Sequence, residues 1–570
     1  MRRLLLALAL LASLSSWALP PNVERVETFR GVSQYRLKSN GMTIVLLPDR
    51  TSPVFTFMVV YHVGSRNESP GNTGSAHLLE HMIFNKSTEN FGRARGHKTF
   101  QEVLYEAGAD AGSSNMTTWY DRMNGYSTLP SDKLETAMRI EADRLGRALI
   151  LDSERQSEMS VVRNEFEIGE NNPGQALGKA VIAAAIQAHP YHWSTIGYRS
   201  DIEGVTTEKL REHYKTYFHP DNAEAILVGD FDPETALAMF DREFGGFPRA
   251  PHPIPKVITV EPPQEGERRV LVRRPGTLNL VMIGYIRPGG LHPDFIALEV
   301  LQSILSEGVN SRMHQALVEK GLATNVSANN FTLRDPFPML LSATVSPGRS
   351  PQEVEDVIKS TLAEIVAKGV TEAEVRRAQQ QIEVQIVRSR DGTYNLAQAL
   401  GEAVASTSWK WFLTYVDAIK AVTAADVQRV AAAYMIPEHA TVGWFVPVAA
   451  APRKPEVALA PPVAAPAPAA APEPPARPAA PAEAKPFAQR TIRKVLPNGI
   501  ILDIVENRAV PTVAIRGLAL AGDTAAPAGQ PALPALAARM LARGTATRTK
   551  EQIGALLDDV GATRAYLPGL

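Results

Sequence analysis

The sequence predicts an α+β protein built from tandem two-layer domains, each with a mixed β-sheet and helices. Three observations carry this. Residues 27–246 alternate strand-like and helix-like patterns, and residues 268–448 repeat the alternation. An Ala/Pro-rich stretch, residues 449–487, then gives way to a third segment, 488–570, that restarts the opening pattern. At 570 residues the chain is too long for one domain.

The first element is a targeting segment. Met1-Arg2-Arg3 is a short basic start, Leu4 to Leu14 is apolar, and Ser16 and Ala18 are small residues suited to cleavage. Residues 1–18 therefore read as a secretory signal peptide, removed after about Ala18 and too short to span a membrane. No later segment reaches spanning length. The chain has no cysteine, which excludes disulfides and thiolate metal sites. A signal peptide without cysteine points to a bacterial periplasmic protein. The net charge of −1 gives no reason to expect nucleic acid or an anionic membrane as a partner.

Strands are expected at 42–47 and 54–63, after the turn at Asn40-Gly41. Helices follow at 76–84 and 100–107, the second ended by Gly108. Ser131 is the expected cap of a helix reaching about Leu149, and Ser153 the cap of another reaching about Glu167. Ala223–Gly229 reads as a buried strand. Beyond a Pro-rich connector at 247–263, strands are expected at 280–285 and 339–345. Helices are expected at 293–305, from Thr371 to about Arg390, and at 424–434. The Ala/Pro stretch cannot bury a core and prefers extended conformations. After it, Asn498-Gly499 echoes Asn40-Gly41, and Met540 falls in register with Met82. Ala535, Ala538 and Arg539 then stand where the first domain has His77, Glu80 and His81. The third segment is a partial, degenerate repeat without the metal-binding side chains.

The chemistry centres on His77-Leu78-Leu79-Glu80-His81. On a helix His77, Glu80 and His81 share a face. Two imidazoles and a carboxylate are what a catalytic zinc ion requires, and the H-x-x-E-H order is the inverted zincin signature. A catalytic zinc takes three protein ligands. Spacing alone does not select the third, although the next acidic helix offers Glu154, Glu158, Glu165 and Glu167. Glu158 and Glu165 lie seven apart, hence on one face, with Val161 and Val162 between them expected to pack inward. One acid of this pair would bind metal while the other orients a ligand.

These motifs resemble the pitrilysin/insulysin family of zinc metallopeptidases, which includes the mitochondrial processing peptidase. The matching residues are Gly64-Ser65-Arg66, the inverted zinc helix, and Glu158 with Glu165, the latter 84 residues after His81. Ser311-Arg312 followed by Glu319-Lys320-Gly321-Leu322 is similar to a further family signature. The resemblance implies metallohydrolase domains of the processing-peptidase type and one Zn2+ per chain, held by His77, His81 and Glu165. Glu158 would support a ligand, and Glu80 would serve as general base in peptide-bond hydrolysis. It also implies a peptide substrate added to a sheet edge within residues 108–126, where Asn115 and Thr118 match the family's Asn and Thr. Around Met123-Asn124-Gly125 the pattern departs from the family. Family members form two-half chambers, which implies a second half or a partner subunit. The reading is thus a periplasmic zinc endopeptidase, with two alternatives: a zinc-binding, non-catalytic scaffold, or a peptidase active only with a partner chain.

Overall fold

A computed structural model describes residues 19–110, 112–449, 489, 491–506 and 512–567. The expected signal peptide and all but the first residue of the Ala/Pro stretch lie outside the described residues. The chain divides into two compact units, residues 1–448 with 517–570, and residues 449–516.

The first domain of the larger unit is a seven-stranded sheet. Its strands are β1 (Val23–Phe29), β2 (Val32–Leu37), β3 (Thr43–Pro48), β4 (Val54–Tyr61), β5 (Ser114–Thr118), β6 (Met123–Pro130) and β7 (Ala223–Gly229), in the order β1-β2-β3-β7-β4-β6-β5. Only β3 and β7 pair in parallel, so the sheet is mixed. Its helices are α1 (Ser75–Asn85), α2 (Phe100–Glu106), α3 (Leu134–Gly146), α4 (Asp152–Glu170), α5 (Pro173–Ala185), α6 (Arg199–Gly204), α7 (Thr207–Tyr217) and α8 (Pro233–Phe244). Along β4 the two faces split by alternation. Phe55, Phe57, Val59 and Tyr61 join the domain's own core, where Phe57 meets the rings of Phe240 and Phe244 edge-on at 5.6 and 6.2 Å. Met58 and Val60 face the other way.

Two expected caps are absent. The Ser131 hydroxyl donates to Asp230 instead, and a short 3-10 turn, Ser131–Lys133, precedes α3. Helix α4 starts two residues early, at Asp152, which places Ser153 inside its first turn.

The second domain has five strands, β8 (Arg268–Pro275), β9 (Leu280–Arg287), β10 (Ala323–Asn329), β11 (Phe337–Val345) and β12 (Ala440–Val448), ordered β10-β11-β9-β12-β8. Its helices are α9 (Phe295–Ser306), α10 (Pro351–Lys368), α11 (Glu372–Ser389), α12 (Thr393–Ser406), α13 (Trp409–Ala421) and α14 (Ala424–Tyr434). Thr371 caps α11 through a reciprocal pair with Glu374. Helices α9, α11 and α12 each begin 220 residues after α1, α4 and α5. The domains are copies of one plan, and they exchange helices. Helix α12 lays Leu400 and Val404 on Met58, Val60 and Ile226 of the first sheet. Helix α5 lays Leu177 and Val181 on the second sheet at Leu340 and Phe445. The approach at Gly443 is close enough that a Cβ there would stand 2.3 Å from Val181 Cγ2.

The larger unit also contains α15 (Leu533–Met540) and α16 (Lys550–Asp558), with Asp558 accepting from Asn310 Nδ2 at 2.9 Å. Helix α15 begins 458 residues after α1, the register expected of the repeat. Residues 512–520, the counterpart of β4, form no strand. Val513, Ile515 and Leu518 are at least 90% exposed. The smaller unit contains a hairpin of β13 (Thr491–Val495) and β14 (Ile501–Val505). Its turn repeats that between β2 and β3, with Gly499 at φ +86° and Gly41 at φ +83°.

Candidate metal centre

Helix α1 is anchored at its start by a buried acid. The Gly74 and Ala76 N–H groups donate to Glu68 at 2.9 and 2.7 Å, satisfying donors that a helix N-terminus leaves open. Burial pushes the Glu68 carboxyl up to about 8 despite those bonds. Leu78, Leu79, Met82 and Ile83 pack into the core, which turns His77, Glu80 and His81 to a cleft of about 650 Å3.

Helix α4 forms the opposite wall, and the structure distinguishes its four acids. Glu154 is taken by the Ser87 hydroxyl at 2.6 Å. Glu167 turns to Arg199, 3.6 Å away. Glu165 places Oε2 3.7 Å from His77 Nε2 and 3.5 Å from His81 Nε2. Glu158 accepts from His81 Nδ1 at 3.0 Å. Because a carboxylate accepts, that bond puts the proton on Nδ1 and leaves Nε2 with its lone pair towards Glu165. Val162 is buried as expected. Val161 is not, because α4 leaves its outer face open to the cleft, where Val161 is 41% exposed.

Whether this group suits zinc is a geometric question. The three donor atoms lie within 4.8 Å of one another. Donors 2.0–2.2 Å from a tetrahedral ion stand roughly 3.4 Å apart. The His–Glu separations of 3.5 and 3.7 Å match that edge and are too long for hydrogen bonds. Burial drives the His77 imidazole down to about 3, an effect the neighbouring His81 adds to, so it is neutral and able to coordinate at physiological pH. The set of two imidazoles and one carboxylate fits zinc.

Glu80 is 8% exposed and stands apart from the donor triangle. Its Oε2 accepts from the Thr118 hydroxyl at 2.9 Å. Burial raises its carboxyl above the ordinary range, opposed by His81, by the Thr118 bond and by the charge of Arg122. Thr118 ends β5, the outermost strand of the sheet. Trp119 N–H donates to Arg122 O, and Thr128 N–H to Ser113 O. In an antiparallel pair this phase turns residues 113, 115, 117 and 119 towards β6 and leaves the backbone groups of Ser114, Met116 and Thr118 facing outward. Asn115 is exposed and lines the cleft.

Sequence reasoning missed Lys86. It closes α1, and its ammonium lies 2.5 Å from Glu158 Oε1. Burial alone would raise the Glu158 carboxyl, but Lys86 and His81 hold it below its usual value. Lysine in the last helical turn is common, so nothing local marks it.

A mixed-sheet domain with an inverted zinc motif beside an open strand edge, paired with a copy that lacks the motif, defines the tandem-domain metallopeptidase fold. Residues 43–198 match the profile of Insulinase (Peptidase family M16), and residues 204–382 match that of the Peptidase M16 inactive domain. A zinc protease of Helicobacter pylori named PqqE is 27% identical over 413 residues, 72% of this chain and 91% of that protein. The crystal structure of a protease from Helicobacter pylori aligns with TM-score 0.68 and 26% identity, covering 75% of this chain and all of the other. The periplasmic protease PqqL of Escherichia coli aligns with TM-score 0.62 and 16% identity, covering 93% of this chain and 62% of that one. The chain belongs to peptidase family M16.

Proposed function

We propose that the protein is a zinc-dependent endopeptidase of the periplasm that hydrolyses peptides or unfolded polypeptide segments. The observation that carries this is the hydrogen bond from Thr118 to Glu80, which joins a carboxylate to the end of an open strand edge beside three convergent metal donors. A peptide lying antiparallel or parallel to β5 would bond the outward groups of Ser114, Met116 and Thr118. That pairing brings a substrate carbonyl to Glu80 and the donor triangle.

His77, His81 and Glu165 would hold the ion. A bound zinc supplies Lewis acidity and lowers the pKa of water towards about 7. Glu80 is the general base: burial raises its carboxyl above the ordinary range, which strengthens its hold on a proton taken from water and later returned to the leaving amine. Thr118 fixes the Glu80 carboxylate by donating to one oxygen, which leaves the other free for proton transfer. Glu158, steadied by Lys86, keeps the His81 ring oriented.

The periplasmic assignment rests on the signal-like residues 1–18. It accords with the lack of any helix among the described residues long and apolar enough to cross a membrane. The test is to assay purified protein for one zinc per chain and for chelator-sensitive cleavage of an unstructured peptide. Zinc without cleavage would support the scaffold alternative. Cleavage that appears only on adding a second chain would support the partner-dependent one. The latter is favoured by the exposed apolar residues Val513, Ile515 and Leu518 of the partial repeat.

A further inference from the structure

Strand β5 is five residues long and has a neighbour on one side only. Such an edge frays readily. Yet the reading above requires its outward groups to stay in fixed register with Glu80. The side chain that braces it is Arg122, 7% exposed, in the turn between β5 and β6. Its Nη1 donates to the Thr117 carbonyl at 3.0 Å and to the Thr117 hydroxyl at 2.6 Å. That hydroxyl in turn donates to Asn124 Oδ1 on β6 at 2.7 Å. Thr117 lies between Met116 and Thr118, two of the residues whose backbone faces the substrate side.

The other edge of the guanidinium is held from the second domain. Arg122 Nε donates to Glu402 Oε1 at 3.1 Å, and Nη2 donates to the same oxygen. Glu402 lies on α12, where Gln398 Nε2 also donates to it at 2.7 Å. A guanidinium is planar, with donors on separate edges. It can therefore grip a carboxylate on one helix and a carbonyl on one strand together, which an ammonium on a flexible stem cannot.

We propose that Glu402 and Arg122 are positioning residues, through which the domain without metal ligands holds the open strand edge in register with Glu80. This rests on the reading that substrate pairs with β5. A purely adhesive role for the ion pair is the competing account. The apolar contact of Leu400 and Val404 with Met58, Val60 and Ile226 already joins α12 to the first sheet. Loss of one partly exposed ion pair would not separate the domains.

The experiment uses the full chain loaded with zinc, with the variants Glu402→Ala, Glu402→Gln and Arg122→Lys. Kinetics on an unstructured fluorogenic peptide are measured alongside zinc content, Tm and hydrogen exchange of residues 114–118. Glu402→Ala removes the acceptor of both guanidinium bonds and should raise KM about tenfold, with kcat within about threefold and zinc retained. Glu402→Gln keeps an acceptor and should fall between it and wild type. Arg122→Lys should resemble Glu402→Ala. In the two severe variants residues 114–118 should exchange faster. The proposal is overturned by an unchanged KM, by unchanged exchange, or by KM, kcat, zinc content and Tm all failing together. Peptide affinity is also measured in the Glu80→Gln background, where turnover is about 10²–10⁴-fold slower. If the wild-type chain cleaves no peptide, the endopeptidase reading falls. The affinity and exchange data then still decide the positioning role: a Glu402→Ala loss of affinity with faster exchange upholds it, and no change removes it.

Discussion

Replacing Glu165 should cost the metal far more than replacing Glu158, although both acids face α1 from the same helix. Glu165 Oε2 is one of three donor atoms, 3.5 and 3.7 Å from the two imidazole nitrogens. Glu158 instead touches the far nitrogen of His81 and the Lys86 ammonium. Zinc held by four ligands binds with about 10–16 kcal/mol, hence roughly 3–4 kcal/mol per ligand. Glu165→Ala should therefore weaken zinc binding by about 10²–10³-fold, towards the lower figure if water takes the vacated position. Glu158→Gln keeps an acceptor for His81 Nδ1 and loses only charge. Removing a group that orients a ligand costs about 10–100-fold, and this milder change should cost about tenfold at most. Both are read by competition with a chromogenic chelator at one fixed pH, because coordination displaces protons. Equal losses, or a larger loss for Glu158→Gln, would refute the assignment of the third ligand.

Glu80→Gln removes the base and leaves the donors, so zinc content should hold while turnover drops by about 10²–10⁴-fold; unchanged turnover would refute its role. Glu299 on α9 accepts from Asn330 Nδ2 and the Tyr415 hydroxyl at 2.6 and 2.9 Å, and burial pushes its carboxyl up to about 7. Its folded pKa exceeds its unfolded one. Its contribution to stability is therefore complete below the ordinary carboxylate value of about 4.3 and is lost as pH rises through about 7. Glu299→Gln, neutral at every pH, should gain Tm relative to wild type between pH 5 and pH 8.5, and a constant difference across that range would count against the shift. Gly443→Val would drive a side chain into Val181 and Leu177 of α5. Overpacking of that kind costs about 1–3 kcal/mol, read as a lower denaturation midpoint; an unaltered midpoint would mean that α5 does not seat there.

The parts of the fold that were legible are those whose signal is local. The 3.6-residue spacing of His77, Glu80 and His81 places them on α1, and Thr371 with Glu374 marks the start of α11. The 458-residue register of the third segment followed from turn residues alone. Ser131 and Ser153 failed as caps because a cap signal does not say what else competes for the hydroxyl; Asp230, 99 residues on, takes that of Ser131. Spacing put Glu158 and Glu165 on one face of α4 but could not order their roles, because those depend on which nitrogen of His81 each one meets. Lys86, Arg122 and Glu402 carry no local mark at all. Arg122 and Glu402 are 280 residues apart and meet only because the two domains exchange helices.

That exchange accounts for keeping a second copy without the metal motif. At the positions of His77, Glu80 and His81, the second domain has Ala297, Val300 and Leu301, all buried in its own core. Each apolar replacement gains burial, about 0.8 kcal/mol per methylene. The first domain cannot make that gain. It holds His77 Nδ1 buried without a hydrogen-bond partner and keeps the Glu80 carboxyl buried beside a cleft, and both are costs to folding. A fold that must leave polar donors convergent and open therefore benefits from a neighbour that closes its own cleft and lends a helix. Helix α12 covers the back of the first sheet with Leu400 and Val404 and reaches its open edge with Glu402. The copy that gave up the chemistry is in this account what holds the other copy's edge strand steady.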